Sequence, residues 1–199
     1  MTEKRKIVVT GFGPFTGHTV NASWEAAKLL KDKYSGELNN RYNIDLIIEE
    51  IPVVYNHVSS RIPEIWKEHN PLFIVHLGVS HKAKCLTIES GACSSGYTRK
   101  DVVEKCPSDS EMTCTRLDVG FDVNEICRIV GNEYDCVACV SNDAGRYLCE
   151  FTLYQSLLIK PHRTLFIHVP DFDVYSANEN ARGIFSIICC ATENLEKAH

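Results

Sequence analysis

Short apolar, β-branched runs alternate with amphipathic stretches along almost the whole chain, and this alternation restricts the fold more than any other feature. Residues 6–10, 44–54, 72–77, 86–89, 136–140 and 164–169 read as strands, with 136–140 buried. Helical patterns lie between them. One is capped by Asn21 or Ser23 and runs to about Tyr34, with a polar turn over 36–42 behind it. A second is opened by Ser59 or Ser60 and stops near Asn70-Pro71. A third is capped by Asp122 or Asn124 and stops near Gly131. A fourth spans 150–158, and 178–195 closes the chain as an amphipathic helix. Strands and helices in this order give an α/β fold, a three-layer α/β/α sandwich with a mixed, largely parallel central sheet. With 199 residues, no internal repeat and no low-complexity linker, a single domain over 1–199 is expected.

Charge and cysteine usage narrow the function classes. The net charge is a mild −5 and no run of lysines or arginines occurs, which argues against nucleic acid and anionic membrane as partners. The apolar run before Gly11 is too short for a secretory signal, and no stretch is long enough to span a bilayer, so a cytoplasmic protein is expected. In that setting the ten cysteines read as reduced thiols. Cys85, Cys127, Cys136, Cys139, Cys189 and Cys190 have apolar neighbours and read as small core residues. Cys93, Cys106 and Cys114 fall in a polar stretch with irregular spacing. Cys136-x-x-Cys139 looks like half of a zinc site, but positions three apart in a strand face opposite ways, and no second such pair exists. No metal and no cofactor are expected.

Cys149 differs from the other thiols. It follows the run at 136–140 and the polar stretch Ser-Asn-Asp-Ala-Gly-Arg-Tyr-Leu (141–148), and it stands at the start of a helical pattern. Unsatisfied N–H groups and the helix dipole at such a place favour a thiolate. Nineteen positions on, Phe-Ile-His-Val-Pro (166–170) sets His168 at the end of another apolar run, where it can serve as base to a cysteine nucleophile. His18, His57, His69, His162 and His199 read as loop, helix-surface or terminal residues, and His76, inside a strand, is the rival base. A Cys–His pair needs a third group to fix the imidazole. Glu89, Asp143 and Asp171 are the candidates, and the residues themselves do not choose among them.

Gly-Phe-Gly-Pro-Phe (11–15) lacks the third glycine of a dinucleotide fingerprint, and Pro14 removes a donor that a phosphate would use. It reads instead as a turn whose Phe12 and Phe15 either enter the core or wall an apolar slot for a small ring. Residues 90–118 have little periodicity. A stretch that long is usually functional or mobile, and here a short strand pair near 96–103 and 114–118 is expected to bracket its tip. The glycine-ended or polar strand ends, residues 11–15, Gly78, 142–149 and His168, point to one shared site at the carboxyl ends of the strands.

Six blocks together resemble the pyroglutamyl peptidase I (pyrrolidone-carboxylate peptidase) family: Thr-Gly-Phe-Gly-Pro-Phe (10–15), Val-Asn-Ala-Ser-Trp (20–24), Glu-Ile-Pro-Val (50–53), His-Leu-Gly-Val-Ser (76–80), Asp-Ala-Gly-Arg-Tyr-Leu-Cys (143–149) and Phe-Ile-His-Val-Pro (166–170). The resemblance runs from about residue 6 to 190 and is stronger to animal members. It implies a cysteine exopeptidase that removes N-terminal pyroglutamate from small peptides through a thioester, with a Glu–Cys–His triad. Cys149 and His168 match by motif, and Glu89 matches by its spacing of eleven residues after Gly78. Phe12 and Phe15 match the two phenylalanines that hold the pyrrolidone ring, and Asn21 an asparagine near that pocket. Arg99 stands at the spacing of an arginine that polarises the carbonyl in bacterial members. Residues 91–118 depart most from the family. A monomer is implied, as in animal relatives, and the alternative activity is that of a catalytically impaired relative that binds pyroglutamyl peptides without turnover.

Overall fold

A computed structural model of the chain describes residues 4–197, other than 16, 18, 108–113 and 135. Its elements are β1 (Arg5–Phe12), α1 (Ala22–Tyr42), β2 (Ile44–Ile51), α2 (Tyr55–His69), β3 (Phe73–Val79), β4 (Leu86–Glu89), β5 (Gly91–Cys93), β6 (Arg116–Asp118), α3 (Val123–Glu133), β7 (Ala138–Ser141), α4 (Leu148–Leu157), β8 (Thr164–Val169) and α5 (Ala177–Lys197). The main sheet has the order β2-β1-β3-β8-β4-β7. β2, β1, β3 and β8 run parallel; β4 is antiparallel to β8, and β7 follows β4.

The central strands are apolar without alternation because both their faces are covered. Ile7, Val9, Val75, Leu77 and Ile167 pack with α1, α3 and α5 on one side. Val8, Ile74 and Phe166 pack with α2 and α4 on the other. The sheet is therefore the middle layer of an α/β/α sandwich, and each fully buried Ile or Leu in it contributes about 1.5–3 kcal/mol.

Several expectations shift for identifiable reasons. α1 does not stop at Tyr34; it continues through the polar residues 36–42. Tyr34 stacks on Phe185 of α5 at 4.5 Å, and Leu38 and Tyr42 are buried, so tertiary packing overrides local composition. The helix ends where Asn43 turns left-handed and its N–H bonds Asn39 O. β2 ends at Ile51, before Pro52. α2 begins at Tyr55 rather than at Ser59 or Ser60, whose hydroxyls donate to carbonyls inside the helix. β7 is an edge strand at 138–141, not a buried one at 136–140, and Cys139 on it is exposed. Cys136, Cys189 and Cys190 are core residues, while Cys85 and Cys127 are only half-buried; Cys93, expected in a polar stretch, is buried.

The irregular segment forms a small lobe. Its two-stranded antiparallel ribbon is β5 with β6, so the first strand lies at 91–93 rather than 96–103. The tip at 108–113 lies outside the described residues.

Candidate active site

Cys149 is the second residue of α4, and that helix end rests on the sheet over Gly78. A Cβ built on Gly78 would lie 2.7 Å from Cys149 Sγ and 2.9 Å from Phe166 Cζ, so only glycine lets the sulfur come this close to the strand. Gly78 stands opposite His168 in the β3/β8 register, and Thr87 of β4 stands opposite His168 on its other side. His168 interacts electrostatically with Cys149, and its Nδ1 lies 2.7 Å from Glu89 Oε1. Glu89 and His168 are both buried. Asp143 instead accepts the Gly145 N–H and Asp171 the Phe172 N–H, so Glu89 is the carboxylate that meets the imidazole.

Burial alone would drive His168 toward its neutral form. The opposing charge of Cys149, its hydrogen bond, and then the hydrogen bond and charge of Glu89 outweigh that, and the imidazole is pushed up to about 10. The imidazolium is thus the favoured form beside the sulfur. His76, the rival base, is neutral: full burial pushes it down to about 3, and its Nδ1 pairs with Thr10 Oγ1 at 2.8 Å. His18 and His199 lie outside the described residues.

These groups open on a cavity of about 440 Å³, within the range of small-ligand pockets. Phe12, Phe15, Asn21, Arg99, Cys149, His168 and Glu89 all line it. The turn after β1 is held by α1: Phe12 N–H donates to Ser23 Oγ, and Asn21 Nδ2 donates to Gly13 O. Asn21 Oδ1 already accepts from the N–H and the hydroxyl of Ser23, as the N-cap of α1. Asn21 therefore has one amide hydrogen left for a ligand and no strong acceptor role. The carboxyl-end reasoning holds for β1, β3 and β8, whereas Glu89 reaches the site from β4, which runs the opposite way.

Arg99 comes from the lobe, with its guanidinium 4.1 Å above the Tyr147 ring. The lobe is anchored by buried Asp101, which sequence reading missed. Its Oδ2 accepts the Tyr55 N–H, serving α2 as the cap that Val54 does not provide. Its Oδ1 accepts from Val103 and Lys105. Burial works against ionisation there, but the backbone N–H groups of Lys105, Tyr55 and Val103 hold the carboxyl below its usual range. His81, Lys82, Thr87 and Ser141 also line the cavity without having been singled out. They sit in the loop after β3 and on β4 and β7, and no motif or spacing marks them. Among the described residues, no cluster of three or more His, Cys, Asp or Glu could hold a metal ion, and no helix is long and apolar enough to cross a membrane.

Comparison with known proteins gives the family and the fold. The profile of the pyroglutamyl peptidase family matches residues 5–194. Human pyroglutamyl-peptidase 1 is 39% identical over 194 residues, covering 94% of this chain and 90% of the human protein. The pyrrolidone-carboxylate peptidase of Thermococcus onnurineus is 30% identical over 173 residues, covering 83% of each chain. In fold, the chain is similar to the pyrrolidone carboxyl peptidase from Thermococcus litoralis, with a TM-score of 0.82 at 20% identity over 98% of this chain and 96% of that one. The match extends nearly end to end in both sequence and fold, and the chain belongs to the pyroglutamyl peptidase family.

Proposed function

We propose that this protein is a cysteine exopeptidase that hydrolyses the bond after an N-terminal pyroglutamate, with Cys149 as nucleophile, His168 as acid–base and Glu89 as its orienting carboxylate. The observation that carries this is the contact chain Cys149–His168–Glu89 at the floor of a cavity walled by Phe12 and Phe15. The sulfur attacks the acyl carbon that bears the lactam ring. His168, holding the thiol proton, gives it to the leaving amine as the C–N bond breaks. Glu89 fixes the ring through Nδ1, leaves Nε2 for the sulfur, and stabilises the imidazolium. Water activated by the now neutral His168 then opens the thioester and releases pyroglutamate.

The developing oxyanion needs donors. Tyr147, the N-cap of α4, makes no side-chain cap bond, and Leu148 and Cys149 in the first turn both line the cavity. The N–H of Cys149, with a neighbour, supplies them, aided by the positive end of the helix. Selectivity follows from desolvation. A lactam is flat and neutral, and its ring can lie between the phenylalanines. A free α-ammonium group in the same slot would be buried without a counter-charge, at a cost of several kcal/mol.

The test is hydrolysis of a fluorogenic pyroglutamyl amide. The wild type should turn it over in reductant and lose activity on alkylation, and Cys149→Ser should be folded and inactive. Turnover by folded Cys149→Ser would sink the assignment, as would tight binding of the amide by the wild type without turnover.

A further inference from the structure

Glu150 follows the nucleophile and has no part in the chemistry above, yet it is fully buried and heavily bonded. Its Oε2 accepts the backbone N–H of Arg146 at 2.7 Å. Its Oε1 accepts the Cys93 N–H at 2.9 Å and also Arg146 Nη1. Arg146 Nη2 in turn contacts Cys93 Sγ at 3.1 Å. The segment so gripped is the bend into α4. Gly145 has φ +94°, which glycine tolerates, and Arg146 has φ +49°, a left-handed backbone that a non-glycine residue adopts only when its surroundings impose it. The next three residues are Tyr147, Leu148 and Cys149.

Resting on the reading of Cys149 as the nucleophile, we infer that Glu150 is a positioning residue that holds Arg146 in its left-handed conformation, and so aims the first N–H groups of α4 at the acyl oxygen. The bonds specify this role. A carboxylate on the first turn of α4 reaches back to the N–H of the strained residue, and its other oxygen ties the bend to β5. Without that grip, Arg146 relaxes toward negative φ, the two peptide planes leading to Cys149 rotate, and the donors leave the oxyanion position. The sulfur is expected to stay with His168, since it rests over Gly78 and Glu89 holds the imidazole in place.

The experiment separates donor geometry from folding and from the Cys–His pair. Glu150→Gln should lower kcat on the pyroglutamyl amide by roughly tenfold or more, since complete loss of an oxyanion donor costs about 10²–10³. KM should stay within about twofold, and the rate at which iodoacetamide labels the Cys149 peptide should not change. Affinity for the aldehyde analogue of pyroglutamate should fall in step with kcat/KM, because its carbonyl carbon adds the sulfur to give a hemithioacetal whose oxygen, taking up the thiol proton through His168, lies at the same place. Adding Arg146→Gly to Glu150→Gln should recover most of the loss, because glycine holds positive φ unaided. A second pair needs no change at 150: Arg146→Gly and Arg146→Ala both delete the guanidinium, and only Ala should lose kcat and aldehyde affinity. Wild-type kcat in Glu150→Gln, or equal kcat in the Gly and Ala variants of an active enzyme, would overturn the inference. An inactive wild type would instead refute the proposed function on which it rests.

Discussion

Gly78→Ala tests the closest contact in the site. The added Cβ would lie 2.7 Å from Cys149 Sγ and 2.9 Å from Phe166 Cζ, where separations near 3.5–4.0 Å are comfortable for heavy atoms. About 1 Å must be found. β3 cannot retreat, because it is hydrogen-bonded to β1 and β8 on both sides. Phe166 is fully buried, so its ring has little room. The sulfur must give, either by a rotamer change or by a tilt of the α4 terminus, and both take it off His168. A misplacement of that size costs around 10²-fold in rate, and overpacking costs about 1–3 kcal/mol in stability. Steady-state kinetics on a pyroglutamyl amide should therefore show kcat down roughly 100-fold with KM little changed. Labelling of the Cys149 peptide by iodoacetamide should also slow, because the thiol has lost its partner. A folded Gly78→Ala enzyme with kcat within about threefold of wild type would show that the sulfur does not sit over this strand, and the geometry of the whole site would have to be redrawn.

Glu89→Gln removes a charge and hydrogen bond that help push His168 up to about 10, so the alkaline limb of kcat should move to lower pH, read from a pH–rate profile. The same shift fixes a stability trend. Because His168 sits above its ordinary 6.5 in the fold, its contribution is complete below about pH 6.5 and is lost as pH rises toward 10, and denaturant titrations of the wild type should show that decline. Phe12→Ala should raise KM more than it lowers kcat or the melting temperature; a collapse of stability with unchanged KM would assign Phe12 to the core alone. Asp101→Ala removes the cap of α2 and the anchor of the lobe, costing about 1 kcal/mol from the cap. It should also raise KM, because Arg99 and Tyr147 lose their support. Gly36→Ala, in the middle of α1 with nothing within 4 Å of the new methyl, should stabilise by about 0.5–1 kcal/mol and raise Tm by a few degrees.

β4 at 86–89 and β8 at 164–169 were readable to the residue, because each is an apolar run with turn or polar residues on both sides and each is buried in the sheet. That legibility stops at direction. The sequence of β4 contains nothing that makes it antiparallel to β8; direction is set by how the chain crosses over, a non-local property. The second half of α1 was hidden for a related reason. Residues 36–42 are locally polar, and only Leu38 and Tyr42 packing beneath the layer of α5 makes them helical.

The site divides along the same line. Cys149 and His168 are marked by an apolar run and a motif, whereas Glu89 is reached only through the family resemblance, by its spacing after Gly78; Phe12, Phe15, Asn21 and Arg99 follow from the same resemblance. Asp101 and Glu150 could not be located, although both are buried carboxylates. The bonds that give them their roles come from backbone N–H groups, which every residue but proline possesses; the ion pair of Glu150 with Arg146 looks in sequence like an ordinary surface i,i+4 pair. A side chain that bonds side chains leaves a pair of letters in the sequence, whereas one that bonds backbone leaves a single letter. The proposed reacting groups of this site are of the first kind and its proposed scaffold largely of the second. The residues that position its chemistry are therefore expected among charged side chains that look, in sequence, like ordinary solvated ones.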